Sequence, residues 1–509
     1  MASDDGGAAR RFHQATKHSL ESLQREPHVL EWENLPSPFK IYKGLPALEL
    51  PLSPAPSGVS AVDAINGLSK RVRAGERPDR GALARLLHFS LGILRRRRLG
   101  DGRWHDFRAA PCTGALYHVD AYLVTADLPD LPAGVYHFGP HDASLRRLRE
   151  GDWRAVAIAA TGQHAAVAAA PVSIVLASTY WRNAWKYRRR AYRHVFWDGG
   201  TAVAQLIAQA AADGWPAEVV LGFVDGEIER LCTLDPEREG VVCLVALGRC
   251  AGTPAPASAP PAIRFETTQL SPREVDYPEI RDVHRSSALE TAEEVRHWRS
   301  TAPPARRAGL VGPLIELPKP DPCPDPLETV IARRGSTRRF RASPISQAAL
   351  ANLLLCASAP LSADYRVDAD QALVELFLIV NAVEGLEAGA YRWHPQAGAV
   401  ERLRGGECRR EAGFLALGQE LGADAAVNVY AITDLDCVLG ALGSRGYRAA
   451  ALDGGIAGGR LYLAAYAQRL GATGLTFFDD DVARFLGLRP ERFGVMFLTA
   501  AGAPLRDPA

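Results

Sequence analysis

The sequence lacks the motifs of several common enzyme classes. Its eight cysteines are scattered along 509 residues and no two have CxxC spacing, which argues against a disulfide framework and against a zinc site built on CxxC pairs. It contains no HExxH motif, no GxGxxG loop and no GxxxxGK loop. We therefore expect no metal site, and neither a Rossmann nucleotide-binding domain nor a P-loop NTPase domain.

A large excess of charge of one sign is also missing. Lys+Arg 59 against Asp+Glu 58 gives a formal net charge of +1, so the composition argues against a surface for nucleic acid or another polyanion. Two basic runs, at residues 95–98 and 188–190, are typical of solvated faces. The sequence therefore predicts no nucleic-acid partner.

Long uninterrupted hydrophobic runs are absent as well. Gln163, His164 and Pro171 interrupt the longest apolar stretch, at residues 155–178, and the VSIVLAS segment after the proline is typical of a buried strand. The first residues lack a charged segment followed by an apolar one, as a secretion signal would have. We therefore expect a cytoplasmic protein with no membrane partner.

What the sequence does contain is an internal repeat. Residues 222–248 align without a gap to residues 476–502, and 12 of the 27 positions are identical. Residues 198–200, Asp-Gly-Gly, recur at 453–455 at nearly the same offset of about 255 residues. This period is far longer than the roughly 20 to 50 residues of a solenoid unit. It indicates two copies of a whole domain, arranged as a covalent version of a homodimer.

The pattern of elements predicts an α+β fold in each copy, with a mixed sheet flanked by long helices. Residues 82–94 and 201–214 have helical patterns, and residues 121–127 and 173–179 have strand patterns. We predict an N-terminal arm over 1–59 that wraps a surface, a first domain over 60–250, a proline-rich linker over 251–325 and a second domain over 326–509. The linker contains one polar, helical piece at residues 287–298.

An arginine-rich segment opens the second copy. Residues 333–340, RRGSTRRF, place four guanidinium groups and two hydroxyls just before a helical pattern. Arginine forks match phosphate oxygens, and hydroxyls complete such a cradle, although a solvated basic turn would have the same composition. Alignment of the copies puts residues 66–71 of the first copy opposite this segment, where Ser69 and Arg71 remain but the arginine pair is lost.

The opposite difference appears in a loop of small residues. The first copy has RAAPCTGAL at residues 108–116, where backbone can closely approach a flat ring, and the second copy has the bulkier, acidic RVDADQAL at 366–373. Each copy has therefore kept one half of a site. The two eroded halves would face each other and bind nothing.

These segments resemble the nitroreductase-like flavoproteins, and within them the SagB-type (McbC-like) azoline dehydrogenases. The segment at 333–340 is similar to their RRSxRxF phosphate signature, and the loop at 110–116 to their PSaGaL loop. Residues 186–193, KYRRRAYR, followed by WDGG at 197–200, resemble the KYgxRgYR…LDaGH segment. Residues 16–19 and 38–42 resemble the leader of that group. The chain departs from the pattern with Cys112 for serine, His118 and Asp120 for proline and glutamate, and Thr201 for histidine.

The resemblance implies FMN bound across the interface between the two copies. It implies that the second copy contacts the phosphate through Arg333, Arg334, Ser336 and Arg338. The first copy would contact the flavin ring through Pro111, Cys112, Thr113 and Gly114. The backbone of Gly474 and Leu475 would add contacts near the ring. Lys186 and Tyr187 would remove the proton when an azoline is aromatised, because a partly desolvated lysine can be neutral near pH 7. Without the resemblance, a Trp-Lys-Tyr triplet is typical of a helix face.

The implied reaction is oxidation of thiazolines or oxazolines to azoles in peptide natural-product biosynthesis. Its partners would be an azoline-containing precursor peptide or a carrier-bound peptide, a cyclodehydratase, and dioxygen as electron acceptor. Two alternatives stay open. One is a nitro- or quinone-reductase of the same fold that uses NAD(P)H, and the other is a flavin-free scaffold for a peptide-modifying complex.

Overall fold

The chain folds around two seven-stranded sheets, one from each copy of the repeat. The computed structural model describes residues 6–51, 55–68, 72–98, 100, 102, 104–250, 252, 254–255, 259–303 and 312–505. Ser69 and Arg71, which align with the arginine-rich segment, lie outside these residues. Among the residues described, no helix combines the length and apolar character needed to cross a bilayer.

The strands follow the same order in both sheets. They are β1 Ala47–Glu49, β2 Ile93–Arg98, β3 Trp104–Arg108, β4 Val119–Thr125, β5 Gly134–Gly139, β6 Ser144–Glu150, β7 Val172–Thr179, β8 Ala217–Val220, β9 Glu239–Leu247, β10 Leu314–Glu316, β11 Glu375–Val380, β12 Gly389–His394, β13 Ala399–Gly405, β14 Val427–Asp434, β15 Gly471–Gly474 and β16 Phe493–Gly502. The first sheet has the order β1-β6-β5-β4-β7-β9-β8, the second β10-β13-β12-β11-β14-β16-β15, and β2 and β3 form a separate hairpin.

The helices are α1 Gly7–Ala15, α2 Leu20–Arg25, α3 Ala61–Ile65, α4 Arg80–Leu91, α5 Arg154–Ala160, α6 Ala165–Ala169, α7 Tyr180–Tyr187, α8 Ala191–Ala212, α9 Asp225–Leu231, α10 Pro278–Ser286, α11 Ala292–Ser300, α12 Leu327–Arg333, α13 Gln347–Ala357, α14 Arg409–Leu415, α15 Glu420–Asp424, α16 Leu435–Leu442, α17 Arg445–Ala467 and α18 Asp479–Phe485. Three 3-10 turns lie at Trp32–Asn34, Thr113–Ala115 and Arg188–Arg190.

The α+β class and the tandem domains are confirmed. Pairing between the strands above is antiparallel, and parallel contacts in the described residues are isolated bridges such as that of Ala74 with Arg249.

The predicted helix at 82–94 ends earlier than expected. Helix α4 ends at Leu91 because Gly92 adopts an extended conformation, with ψ 165°. The apolar residues after it begin strand β2, which carries the arginine run and pairs with β3. Because the apolar periodicity continues past the glycine, the sequence pattern alone did not predict this hairpin.

The repeated Asp-Gly-Gly motif is explained by the crossing of the two central helices, α8 and α17. A β-carbon at Gly200 would lie 2.5 Å from the carbonyl oxygen of Leu452, and one at Gly455 would overlap the backbone of Trp197. Since no larger residue fits between two backbones at that distance, glycine is required on both helices. The crossing fixes one half of the molecule against the other.

Two buried ion-pair clusters, one near the start of each central helix, also join the halves. In one, Arg445 and Arg448 each donate to the Asp225 carboxylate at 2.6 Å. In the other, Arg190 and Arg193 donate to Asp479, at 3.0 and 2.6 Å. Asp225 and Asp479 are identical positions of the repeat. The interpretation of residues 188–190 as a solvated face is therefore wrong for Arg190, which is buried in the second cluster.

The segments assigned to the arm and the linker contribute to both sheets. Strand β1 is an edge strand of the first sheet, and β10 is an edge strand of the second. Helix α1 lies on the second half, where Arg10 pairs with Asp436. Further along the arm, the carbonyl of Glu31 accepts a hydrogen bond from Trp185 in α7. The arm thus runs from the second half to the helix that ends in Lys186 and Tyr187.

Candidate active site

One cavity of about 810 Å³ lies between the two halves. Its volume is within the usual range of small-molecule sites, about 300 to 1,000 Å³. Its wall contains every residue that was expected at the site from sequence, namely Pro111, Cys112, Thr113, Gly114, Lys186, Tyr187, Arg333, Arg334, Ser336, Arg338, Gly474 and Leu475. The folded chain therefore brings together segments that lie more than 200 residues apart.

The arginine-rich segment begins at the last residue of helix α12, and its arginines have different environments. Arg334 is buried and donates from Nε to the carbonyl of Ala109 at 2.9 Å and from Nη2 to that of Arg108 at 3.0 Å. Burial lowers the pKa of its guanidinium. These bonds tie the second copy to the small-residue loop of the first, so in this structure Arg334 acts as a link between the halves.

The donors that remain for an anion are fewer than the sequence suggests. Arg333 pairs with Asp325 at 2.7 Å and donates to the carbonyl of Tyr466 at 2.6 Å. Arg338 is exposed on the cavity wall and has no ion-pair partner among the residues that the structure describes. The hydroxyl of Ser336 also lies in this wall, 3.4 Å from that of Tyr462. Arg338 and Ser336 are the groups best placed to receive a phosphate.

The small-residue loop is fixed by a buried carboxylate, that of Asp198. It accepts from the Thr113 amide at 3.0 Å and the Thr113 hydroxyl at 2.8 Å, from the Cys112 thiol at 3.2 Å, and it pairs with Nε2 of His118 at 2.8 Å. The hydroxyl of Thr201 donates to the carbonyl of Pro111 at 2.6 Å. The residues that depart from the family pattern at 112, 118 and 201 thus form one network that holds the loop.

Cys112, His118 and Asp198 are also the kind of donor set that can hold a metal ion, and their ligand atoms lie within 4.8 Å of one another. Burial, followed by the nearby Asp198 carboxylate, raises the pKa of the Cys112 thiol. A metal ligand must be a thiolate. A metal ion bound here would have to displace the thiol proton; in this structure the Cys112 thiol and the His118 ring are both joined to the Asp198 carboxylate by hydrogen bonds.

Gly114 allows the loop to meet the end of helix α7. Its φ of 65° is a left-handed conformation, and a β-carbon there would lie 3.0 Å from the hydroxyl of Tyr187. A side chain at this position would push that hydroxyl away from the loop. The Tyr187 ring also packs edge-on against His194, with centroids 4.5 Å apart, and it is fixed on both sides.

Lys186 and Tyr187 have different acid–base properties. Burial, and then the positive charge of Arg338, lowers the pKa of the half-buried Lys186. Burial, together with the charge of Asp198, raises the pKa of Tyr187. The ammonium nitrogen of Lys186 lies 5.4 Å from the centroid of the Tyr187 ring. The shift of Lys186 favours its neutral amine, and the shift of Tyr187 favours its protonated phenol.

The pseudo-symmetric position is filled by the protein itself. In the alignment of the two copies, Leu221 and Gly222 correspond to Leu475 and Thr476 of the cavity wall. Their amides donate to the carboxylate of Asp364 at 2.7 and 2.9 Å. Asp364 lies two residues before the bulky loop of the second copy, so the segment that leads into that loop contacts the position that corresponds to the cavity wall.

Comparison with known proteins decides the family. The model of the nitroreductase family matches residues 73–249 and 331–502, which together are more than half of the chain. The chain belongs to the nitroreductase family. Both copies of the repeat are nitroreductase domains, and the fold is that of this family's flavin oxidoreductases.

The chain is similar to several known proteins. A crystal structure described as a nitroreductase of Anabaena variabilis is 27% identical, covers 98% of this chain and 99% of its own, and superposes with a TM-score of 0.76. A protein described as a nitroreductase of Methanocaldococcus jannaschii is 27% identical over 144 residues, 28% of this chain and 71% of its own. A Desulfovibrio desulfuricans nitroreductase solved in complex with FMN is 19% identical over 36% of this chain and 90% of its own, with a TM-score of 0.26. The tandem arrangement is thus shared along the whole chain of the Anabaena protein.

Proposed function

We propose that this nitroreductase-family protein binds FMN in the interdomain cavity and oxidises azoline rings of a peptide substrate to azoles. The observation that carries the proposal is that Lys186 and Tyr187 of the first copy share a cavity wall with Ser336 and Arg338 of the second copy. A proton acceptor and an anion cradle are thereby combined in one site. The peptide would reach the cavity as a precursor or on a carrier, with a cyclodehydratase as the enzyme that forms the azoline.

The residues present fit a flavin phosphate and a flat ring. Ser336 and Arg338 supply a hydroxyl and a guanidinium, which are suited to a phosphate. The loop around Gly114 offers backbone in place of side chains, and the backbone of Gly474 and Leu475 lies in the same wall. When bound, FMN would supply the hydride acceptor.

The protein's own part in the reaction is to move a proton. Aromatisation of a thiazoline or oxazoline removes one hydride and one proton from ring carbons. Lys186 in its neutral form accepts the proton, because burial and Arg338 both favour the neutral amine. Tyr187 keeps its own proton and donates a hydrogen bond beside the lysine. The two electrons and two protons of each turnover pass finally to dioxygen, which gives hydrogen peroxide.

The proposal predicts a yellow protein that consumes azoline and dioxygen in equal amounts. The measurement is the flavin spectrum of the purified chain, followed by oxygen uptake with a synthetic peptide thiazoline and with NADPH plus a quinone. Oxidation of the thiazoline supports the proposal. Turnover of NADPH with the quinone and none of the thiazoline would make the protein a reductase of the same fold. A colourless protein that takes up no added FMN would leave the flavin-free scaffold as the remaining alternative.

A further inference from the structure

The arginine run at residues 95–98 is divided between two faces of a strand. In the β2–β3 hairpin, Arg96 pairs across the strands with Asp106, both by register and by an ion pair of 2.8 Å. Successive side chains of a strand point to opposite faces. Arg95 and Arg97 therefore lie on the other face of the hairpin, and that face lines the interdomain cavity.

This cavity face presents positive charge without a protein counter-charge. Arg95 stacks on the ring of Phe107, with its guanidinium carbon 4.6 Å from the centroid. Neither Arg95 nor Arg97 has an ion-pair partner among the residues that the structure describes, and both are exposed to the cavity. Stacking on an aromatic ring orients a guanidinium fork while leaving its edge free for an anion.

The rest of the cavity wall increases this charge. Lys186, Arg333, Arg334 and Arg338 also line it. The carboxylate in the wall, Asp198, is already engaged by the small-residue loop. Burial lowers the pKa of Arg334, and the charge of Arg95 adds to this effect. Like charges this close repel one another in the absence of an anion.

We infer that Arg95 and Arg97 form a second anion subsite at this cavity, which binds a phosphate group in addition to the donors of residues 333–338. The subsite comes from the first copy, so it completes the cradle of the second copy from across the interface. Its phosphate is either that of the flavin or that of a second, phosphate-bearing ligand. Only the choice between these two sources rests on the proposed function.

Inorganic pyrophosphate is the probe that tests the subsite directly. We expect the double variant Arg95→Gln, Arg97→Gln to bind pyrophosphate about tenfold to a hundredfold more weakly than the wild type in calorimetric titration, since two charge-assisted contacts are lost. The matched control is Arg96→Gln, Arg98→Gln, which removes the same charge from the opposite face. It should bind like the wild type. Equal weakening in both variants, no weakening, or no binding by the wild type overturns the subsite.

A second experiment, which compares two flavins, identifies the source of the phosphate. FMN and riboflavin differ only by the phosphate, so the ratio of their dissociation constants is measured for the same proteins. If the Arg95, Arg97 variant loses much of the preference for FMN, the flavin phosphate is the ligand. If the preference is kept but pyrophosphate binding to the FMN-loaded variant is weak, a second ligand occupies the subsite. A wild type that binds neither flavin contradicts the proposed function, while the pyrophosphate titration still decides the subsite.

Discussion

Lys186→Ala is expected to lower the rate of azoline oxidation by about a hundredfold to ten-thousandfold, the usual range for loss of a general base. Flavin should remain bound, because Lys186 lies at the end of α7 and the phosphate donors Ser336 and Arg338 lie on the other copy. The base acts when neutral, so the wild-type rate should rise as the pH rises through the lowered pKa of Lys186. The variant should lose this rise. The measurements are the flavin spectrum and the pH profile of kcat.

Three further variants separate chemistry from structure. Tyr187→Phe should also keep flavin and lose activity. The double variant should be little worse than the poorer single one, because groups that serve one step are not additive. Lys43→Ala is the control, since this exposed lysine pairs with Glu266 away from the cavity. If both single variants oxidise azoline at the wild-type rate with an unchanged pH profile, the pair is structural and the substrate assignment loses its main support.

Asp225→Asn is expected to reduce the free energy of unfolding by about 3 to 5 kcal/mol, as for other broken buried ion pairs. The variant leaves Arg445 and Arg448 buried beside each other without a carboxylate. Burial alone would raise the pKa of Asp225, but these two arginines lower it to about 2. A lowered pKa stabilises the fold above the unfolded-state value of about 4, and this contribution is lost as the pH falls towards 2. Unfolding in urea at several pH values measures it.

The control for this experiment is an exposed ion pair between the N-terminal arm and the second half. Asp436 pairs with Arg10 at 2.6 Å and is about half exposed. Asp436→Asn should therefore change stability by no more than about 1 kcal/mol. Asp479→Asn, the counterpart of Asp225→Asn in the repeat, should be as destabilising as the first variant. Equal, small effects of all three substitutions would show that the clusters do not hold the halves together.

The tandem fold could be predicted from sequence because the repeat itself carries it. Residues 222–248 and 476–502 gave the two domains, and the reciprocal loss of motifs indicated one composite site. The roles of single arginines could not be predicted in this way. The RRGSTRRF composition does not show that Arg334 donates its hydrogen bonds to the carbonyls of Ala109 and Arg108. Those partners lie about 225 residues away in the sequence.

Other features depended on strand and helix boundaries that composition does not reveal. The run at residues 95–98 has the composition of a solvated face, and only its pairing with β3 shows that alternate arginines face the cavity. Arg190 belongs to a similar run and is buried, because Asp479 of the other half lies against it. The loss of the second site was expected from the loss of motifs, but its contact with the Asp364 carboxylate became identifiable only with the fold.

The number of flavins released per chain distinguishes one composite site from two sites or none. We expect one composite site, made of the loop at Gly114 and the segment at Arg338, and a second position closed by Asp364. Saturation with FMN, removal of the excess, denaturation and measurement of flavin against protein should give one FMN per chain. Two per chain would show that residues 66–71 still bind phosphate, and none would show that the shared cavity is not a flavin site.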